Sequence, residues 1–256
     1  MILHTIEAGQ GPPVALLHGL FGSARNLGVV QRALAPQSRV LALDLRNHGA
    51  SPHAAAMDYP AMAADVLETL DQRAALPAAL VGHSMGGKAA MVAALSRPDA
   101  VSRLVVADIA PVAYEHHNAE IAAALAGLAL SPGLTRAAAD AALVEAVPEA
   151  GLRAFLLQNL VPGAHPHWRI GLREIAAAMR VIEGWEAPAA GEAYRGPTLF
   201  VAGARSDYVR HEDRPAIRAL FPAARFVTLK NAGHWLHADN PSGFVAVIEA
   251  FLAAGG

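Results

Sequence analysis

The sequence predicts an α/β fold, a mostly parallel, doubly wound sheet that carries a helical insertion. Three observations predict it. Short apolar runs recur along the chain without the alternation of a half-exposed strand, which fits strands buried on both faces. Stretches of helical spacing separate the runs, and each run ends at a polar or glycine-rich turn. Over residues 112 to 195 the strand-like runs stop and only helical spacing remains.

Composition sets the outer limits. With 256 residues, 54% of them hydrophobic, the chain is long enough to bury a full core as one α/β domain with an insertion. A net charge of -2 offers no footprint for nucleic acid, so the expected partner is a small molecule. The absence of cysteine excludes disulfides, thiolate catalysis and zinc-thiolate sites. No basic, apolar leader precedes the strand-like Ile2–Ile6, and charges, Gly or Pro interrupt every apolar stretch before bilayer length. The expectation is a cytoplasmic protein with no membrane partner.

The buried strands are expected at Val14–Leu17, Val40–Leu43, Ala79–Val81, Leu104–Ala107, Thr198–Val201 and Phe226–Leu229. In such sheets ligands bind beyond the carboxyl ends of the strands, so the residues after each run carry the function. They are His18-Gly19-Leu20-Phe21, then Asp44 to Ser51, then Gly82-His83-Ser84-Met85-Gly86, then Asp108-Ile109-Ala110-Pro111, then Gly203 to Val209, and last Asn231-Ala232-Gly233-His234-Trp235. The tract between the fourth and fifth strands shows i, i+3, i+4 spacing at Leu152, Phe155 and Leu156, and again from Ile170 to Ile182. Pro132, Pro148, Pro162 and Pro166 cut it into three or four short helices, expected to form a cap over residues 112–195 on a core of 1–111 and 196–256.

Ser84 stands between two glycines, after an apolar run and before an Ala-rich helical stretch. A strand-to-helix turn this tight strains the backbone of the residue at its tip and needs small residues beside it, which Gly82 and Gly86 supply. The turn exposes the Ser84 hydroxyl as a nucleophile and aims the Met85 N–H and the helix N-terminus at a developing oxyanion.

The serine turn, the His18-Gly19 loop, the late Gly233-His234 and the helical insertion together resemble the α/β-hydrolase superfamily over essentially the whole chain. Closer still, Leu17 to Ser23, Asp44 to Ser51, Gly82 to Lys88, Asp108 to Val112 and Ala232 to Asp239 resemble the small YbfF-type esterases. The resemblance implies an α/β-hydrolase fold and carboxylic-ester hydrolysis through an acyl-enzyme, with no metal or organic cofactor. Ser84 is then the nucleophile and His234, the histidine in the Gly-His-Trp turn after the last strand, its base. By the same resemblance the oxyanion meets two backbone donors, the N–H groups of Leu20 and Met85. His18 is read as an organiser of its loop rather than a proton carrier.

The third triad member departs from the superfamily pattern. Most members carry the acid in a Gly-x-x-Asp arrangement after the fifth of these strands, but three residues past Gly203 stands Ser206, and Asp207 comes one place late. A one-residue shift turns a side chain through a large angle. The resemblance to YbfF-type esterases favours Asp108, at the end of the strand next to the elbow strand; Asp207 is the alternative, otherwise a loop charge near Arg205 or Arg210.

Phe21, Asn159 and Trp168 are candidate substrate contacts. His116-His117 and His165-Pro166-His167 lack helical metal-ligand spacing, so no metal site is assigned. Asp44, Arg46, Asn47, His48 and Gly49 are expected to shape the turn after the second strand. The functional expectation is a serine esterase for short- to medium-chain acyl esters, extending to thioesters. The same machinery also serves C–C bond hydrolysis, amide hydrolysis and peracid formation, and the fold does not choose among them. A non-catalytic ligand-binding protein is the remaining alternative, and only an activated serine would react with a fluorophosphonate.

Overall fold

In a computed structural model, which describes residues 1–114, 118–186 and 193–254, the chain builds a seven-stranded sheet with helices on both faces. In chain order the core contains β1 (Thr5–Ala8), β2 (Pro13–Leu17), α1 (Gly28–Leu34), β3 (Arg39–Leu43), α2 (Tyr59–Gln72), β4 (Ala78–His83), α3 (Met85–Ser96) and β5 (Val101–Ala107). The chain then runs through α4 (Asn118–Gly127), α5 (Arg136–Leu143), α6 (Ala150–Leu156), a hairpin of β6 (Leu160–Val161) and β7 (His167–Trp168), α7 (Leu172–Ala177) and α8 (Met179–Glu183). It returns to the core through β8 (Thr198–Gly203), α9 (Arg214–Leu220), β9 (Ala224–Leu229), α10 (Leu236–Asp239) and α11 (Pro241–Ala253).

Strand order is β1-β3-β2-β4-β5-β8-β9, and every pairing is parallel except that of β1 with β3. The non-alternating apolar runs have a direct cause. Leu41, Leu43, Leu80, Leu104 and Val106 feed one core, under α2, α3 and the inserted helices. Their neighbours Val40, Ala42, Val81, Val105 and Ala107 feed the other, under α1 and α11. Burying a branched aliphatic side chain on either face contributes roughly 1.5–3 kcal/mol.

Local chemistry sets the helix starts. Asp58 caps α2 by accepting the Ala61 N–H at 2.7 Å, and Asn240 caps α11 by accepting the Gly243 N–H at 3.0 Å, each with a proline in the first turn. The first strand begins later than expected, at Thr5. The N–H groups of Leu3 and His4 go instead to Thr69 Oγ1 and Ser51 Oγ, at 2.9 and 2.8 Å. The stretch from Ile170 to Ile182 forms two helices, because Ala178 between them leaves helical geometry at φ -93° and ψ 3°. The insertion thus holds five short helices among the described residues and a hairpin too short to carry a sequence period. No helix among the described residues is long and apolar enough to cross a membrane.

Candidate active site

At the carboxyl end of β4 the chain reverses at Ser84, whose backbone takes φ 53° and ψ -120°. A Cβ on Gly82 would lie 2.3 Å from the Gly86 carbonyl oxygen, and one on Gly86 2.5 Å from that of Leu17, so no side chain fits at either place. Met85 is the first residue of α3, where the N–H has no intrahelical acceptor. Among the described residues neither the Met85 nor the Leu20 N–H donates to a protein group, and both residues line the cavity beside Ser84.

Ser84 Oγ lies 3.0 Å from His234 Nε2, and His234 Nδ1 lies 2.8 Å from Asp108 Oδ2. A carboxylate only accepts, so Nδ1 carries the proton and Nε2 is left to accept from the serine hydroxyl. Asp108 is wholly buried and held in a left-handed conformation, φ 51°. Its Oδ1 accepts the Gly203 N–H at 2.9 Å, and its Oδ2 also accepts from the Ser206 hydroxyl. Ser206, in the register that a Gly-x-x-Asp pattern gives to aspartate, thus spends its hydroxyl on the acid from the neighbouring strand. The Asp207 side chain is 74% exposed and lies 3.9 Å from the Arg210 guanidinium, with no bond to His234.

Further contacts fix His234. The Tyr208 ring stacks on the His234 imidazole, centroids 3.8 Å apart and planes 19° from parallel. His83 Nε2–H donates to the His234 carbonyl at 2.7 Å, and burial holds the His83 pKa well below the usual histidine value. A neutral imidazole beside His234 leaves any positive charge on His234 alone to be balanced by Asp108. Sequence reasoning missed Tyr208 and His83; only the misfit of Ser206 to the superfamily pattern signalled the rearrangement around Asp108.

The loop after β2 is organised by two neutral histidines. His18 Nδ1–H donates to the Gly19 carbonyl at 2.8 Å while its Nε2 accepts the Leu45 N–H at 3.0 Å. His48 Nδ1–H donates to the Arg46 carbonyl at 2.9 Å, and its Nε2 accepts the Phe21 N–H at 3.1 Å. Burial lowers the His18 pKa and pushes that of His48 down to about 3. Asp44 ties the same region together by accepting the Ala24 and Ala50 N–H groups at 2.7 and 2.8 Å. Arg46 bonds within the loop, donating to the Ala56 carbonyl at 2.6 Å, and also reaches Asp65 on α2 at 2.7 Å.

A cavity of about 700 Å³ opens over Ser84. Phe21 and Met85 line it with Ile109, Ile121, Leu152 and Phe155, and Trp235 packs on Phe155 with ring centroids 5.4 Å apart and planes tilted by 43°. Lys88, one helical turn after Ser84, stands in the same wall. Its ammonium donates to the Glu183 and Gly184 carbonyls at 3.1 and 2.6 Å, and burial lowers its pKa to about 7.

Two expected substrate contacts are not in this wall. Asn159 is buried and donates its amide to the Phe21 carbonyl at 2.7 Å, so its polar end is already engaged by backbone. Trp168 lies in β7, paired with Leu160, and packs on the apolar core. His167 Nδ1–H donates to the His165 carbonyl at 3.0 Å, whereas His116 and His117 lie outside the described residues.

Comparison with known proteins decides the family. The model of the alpha/beta hydrolase fold matches residues 12–241. The chain is 39% identical to esterase YbfF of Escherichia coli over 94% of its length and 92% of the relative. It belongs to the α/β-hydrolase family, as a YbfF-like esterase. This hydrolase is also 43% identical to the sn-1-specific diacylglycerol lipase ABHD11 of Mus musculus, over 94% of the chain and 81% of the relative. A solved marine microorganism esterase superposes on the hydrolase with a TM-score of 0.94 at 35% identity, covering 98% of this chain and 99% of that one.

Proposed function

We propose that this carboxylic ester hydrolase works through a Ser84-His234-Asp108 triad and an acyl-enzyme, on short- to medium-chain acyl esters and their thioester analogues. One observation carries the reading: the unbroken chain of contacts from Ser84 Oγ through His234 to the buried Asp108, at 3.0 and 2.8 Å. The Ser84 proton passes to His234 Nε2 as the serine oxygen attacks the ester carbonyl carbon. The oxyanion of the tetrahedral intermediate accepts from the Leu20 and Met85 N–H groups, for which no acceptor among the described residues competes, so they need no reorganisation. Collapse expels the alcohol, which leaves with the proton from His234, and the acyl group stays on Ser84. Water then repeats the sequence, and the carboxylic acid departs.

Asp108 holds the His234 tautomer that presents a free Nε2 and balances the imidazolium that forms. The apolar wall of Ile109, Ile121, Leu152 and Phe155 suits an acyl chain, and the bounded cavity favours short ones. A cytoplasmic location and a small-molecule ester as partner, with neither nucleic acid nor membrane, belong to the same proposal. The test is a panel of p-nitrophenyl esters, acyl thioesters and anilides with wild type and Ser84→Ala. Ester and thioester turnover that disappears in a folded Ser84→Ala protein is expected, and turnover that survives there refutes the mechanism.

A further inference from the structure

Asn159 lies in the 3-10 turn Leu157–Asn159 that follows α6 in the insertion, yet its side chain ends on the loop that presents the Leu20 N–H. Its Nδ2 donates to the Phe21 carbonyl at 2.7 Å and to the Leu156 carbonyl at 3.3 Å, and the Asn159 backbone carbonyl accepts the Arg169 N–H at 2.8 Å. Phe21 has φ 60°, a left-handed conformation that an aromatic residue keeps only where its surroundings hold it. Here they do so from both sides. The N–H of Phe21 is taken by His48 from the loop after β3, and its carbonyl by Asn159 from the insertion. One peptide earlier, the Gly19 carbonyl accepts the Gly22 N–H at 3.0 Å and His18 Nδ1–H at 2.8 Å. Because a trans peptide points its N–H opposite to its carbonyl, anchoring that oxygen turns the Leu20 N–H the other way. The turn that makes this possible closes through Phe21.

We propose that Asn159 is a positioning residue of the oxyanion hole: seating the cap clamps the Phe21 turn against His48 and thereby sets the Leu20 N–H. The cap is then part of the rate-determining apparatus as well as a wall of the cavity. Neighbouring contacts fasten the same strip of cap, since the Gly171 N–H donates to the Asn47 carbonyl at 2.8 Å and Asn26 Nδ2 to Gln158 Oε1 at 3.2 Å. Those contacts keep the cap seated when Asn159 is changed, so the loop can be perturbed alone. The inference rests on the reading of Leu20 as an oxyanion donor.

The test uses Asn159→Asp, which sets an acceptor against the Phe21 carbonyl at constant volume, and Asn159→Ser, which removes the reach. Turnover of p-nitrophenyl butyrate, inhibition by a butyl trifluoromethyl ketone that forms a tetrahedral adduct, and inhibition by butyrate are measured on each. Loss of a whole oxyanion donor costs roughly 10²–10³ in kcat, so misplacement of one is expected to cost about 10- to 100-fold. KM and butyrate inhibition stay within about threefold, while ketone affinity weakens in step with kcat/KM. A folded variant with wild-type kcat and ketone affinity overturns the proposal, whatever its melting temperature, and leaves Asn159 a plain fastener of the cap. Should neither variant fold, His48→Leu, which removes the acceptor of the Phe21 N–H, carries the same split from the other side of the turn. A wild-type enzyme that binds the ketone no better than butyrate overturns the oxyanion reading itself, an outcome distinct from failure of the clamp.

Discussion

Replacing Asp108 by asparagine keeps the shape of the side chain and changes only what its two terminal atoms can do. At Oδ1 the carboxylate accepts a backbone N–H, from Gly203, which cannot turn away; an amide nitrogen placed there meets a donor with a donor. The asparagine therefore keeps its oxygen toward Gly203 and turns its NH₂ toward Ser206 and His234. The Ser206 hydroxyl can rotate to accept, but His234 can accept only by giving up its Nδ1 proton. The proton then resides on Nε2, the atom that must take the Ser84 proton, and the base is blocked. In a serine protease the analogous exchange lowers kcat by about 10⁴, or about 5 kcal/mol of transition-state stabilisation, and the same order is predicted here. Asp207→Asn is the matched control, because that carboxylate is 74% exposed and lies 3.9 Å from the Arg210 guanidinium. Exposed pairs of this kind contribute little, so its kcat should stay within about twofold of wild type. The assay is kcat on p-nitrophenyl butyrate for both single mutants and the double, with folding followed by circular dichroism. A crippled Asp207→Asn beside a near-wild-type Asp108→Asn would refute the reasoning.

Acid should destabilise the fold before its carboxylates titrate. Burial lowers the pKa of His48 to about 3 and of His237 to about 4, below the unfolded value of 6.5, so between these limits the unfolded chain binds more protons and stability is lost as the pH drops. A histidine held neutral accounts for up to about 2 kcal/mol of that loss by pH 5, and a urea midpoint that is flat from pH 7 to 5 contradicts it. Acyl-length preference should follow the bounded cavity, with kcat/KM on p-nitrophenyl esters highest for short chains. A steady rise from acetate to palmitate would mean an open groove instead.

The sheet was legible because its strands are buried on both faces: a run such as Val40–Leu43 has no polar position, since alternate residues serve opposite cores. The elbow was legible because its geometry admits only glycine at Gly82 and Gly86. What the sequence hid was contact between distant segments. Asn159 and Trp168 carry the side chains of substrate contacts, yet one engages a backbone carbonyl 138 residues away and the other, half-buried, packs against the core. The β6–β7 hairpin has two residues in each strand, too few for a period of two to register. Tyr208 against His234 and Lys88 on the carbonyls at the end of α8 arise from topology, and no local pattern announces either.

The most direct test of the central claim is to trap the covalent intermediate. Wild-type enzyme is mixed with excess p-nitrophenyl butyrate, quenched in acid within the first turnover, and digested for mass spectrometry. The account predicts a butyryl group on the peptide containing Ser84, at the serine itself, accumulating further in Asp108→Asn if deacylation suffers more than acylation. An enzyme that turns over the ester while Ser84 stays unmodified at every quench time, or that carries the acyl group on another residue, would contradict it.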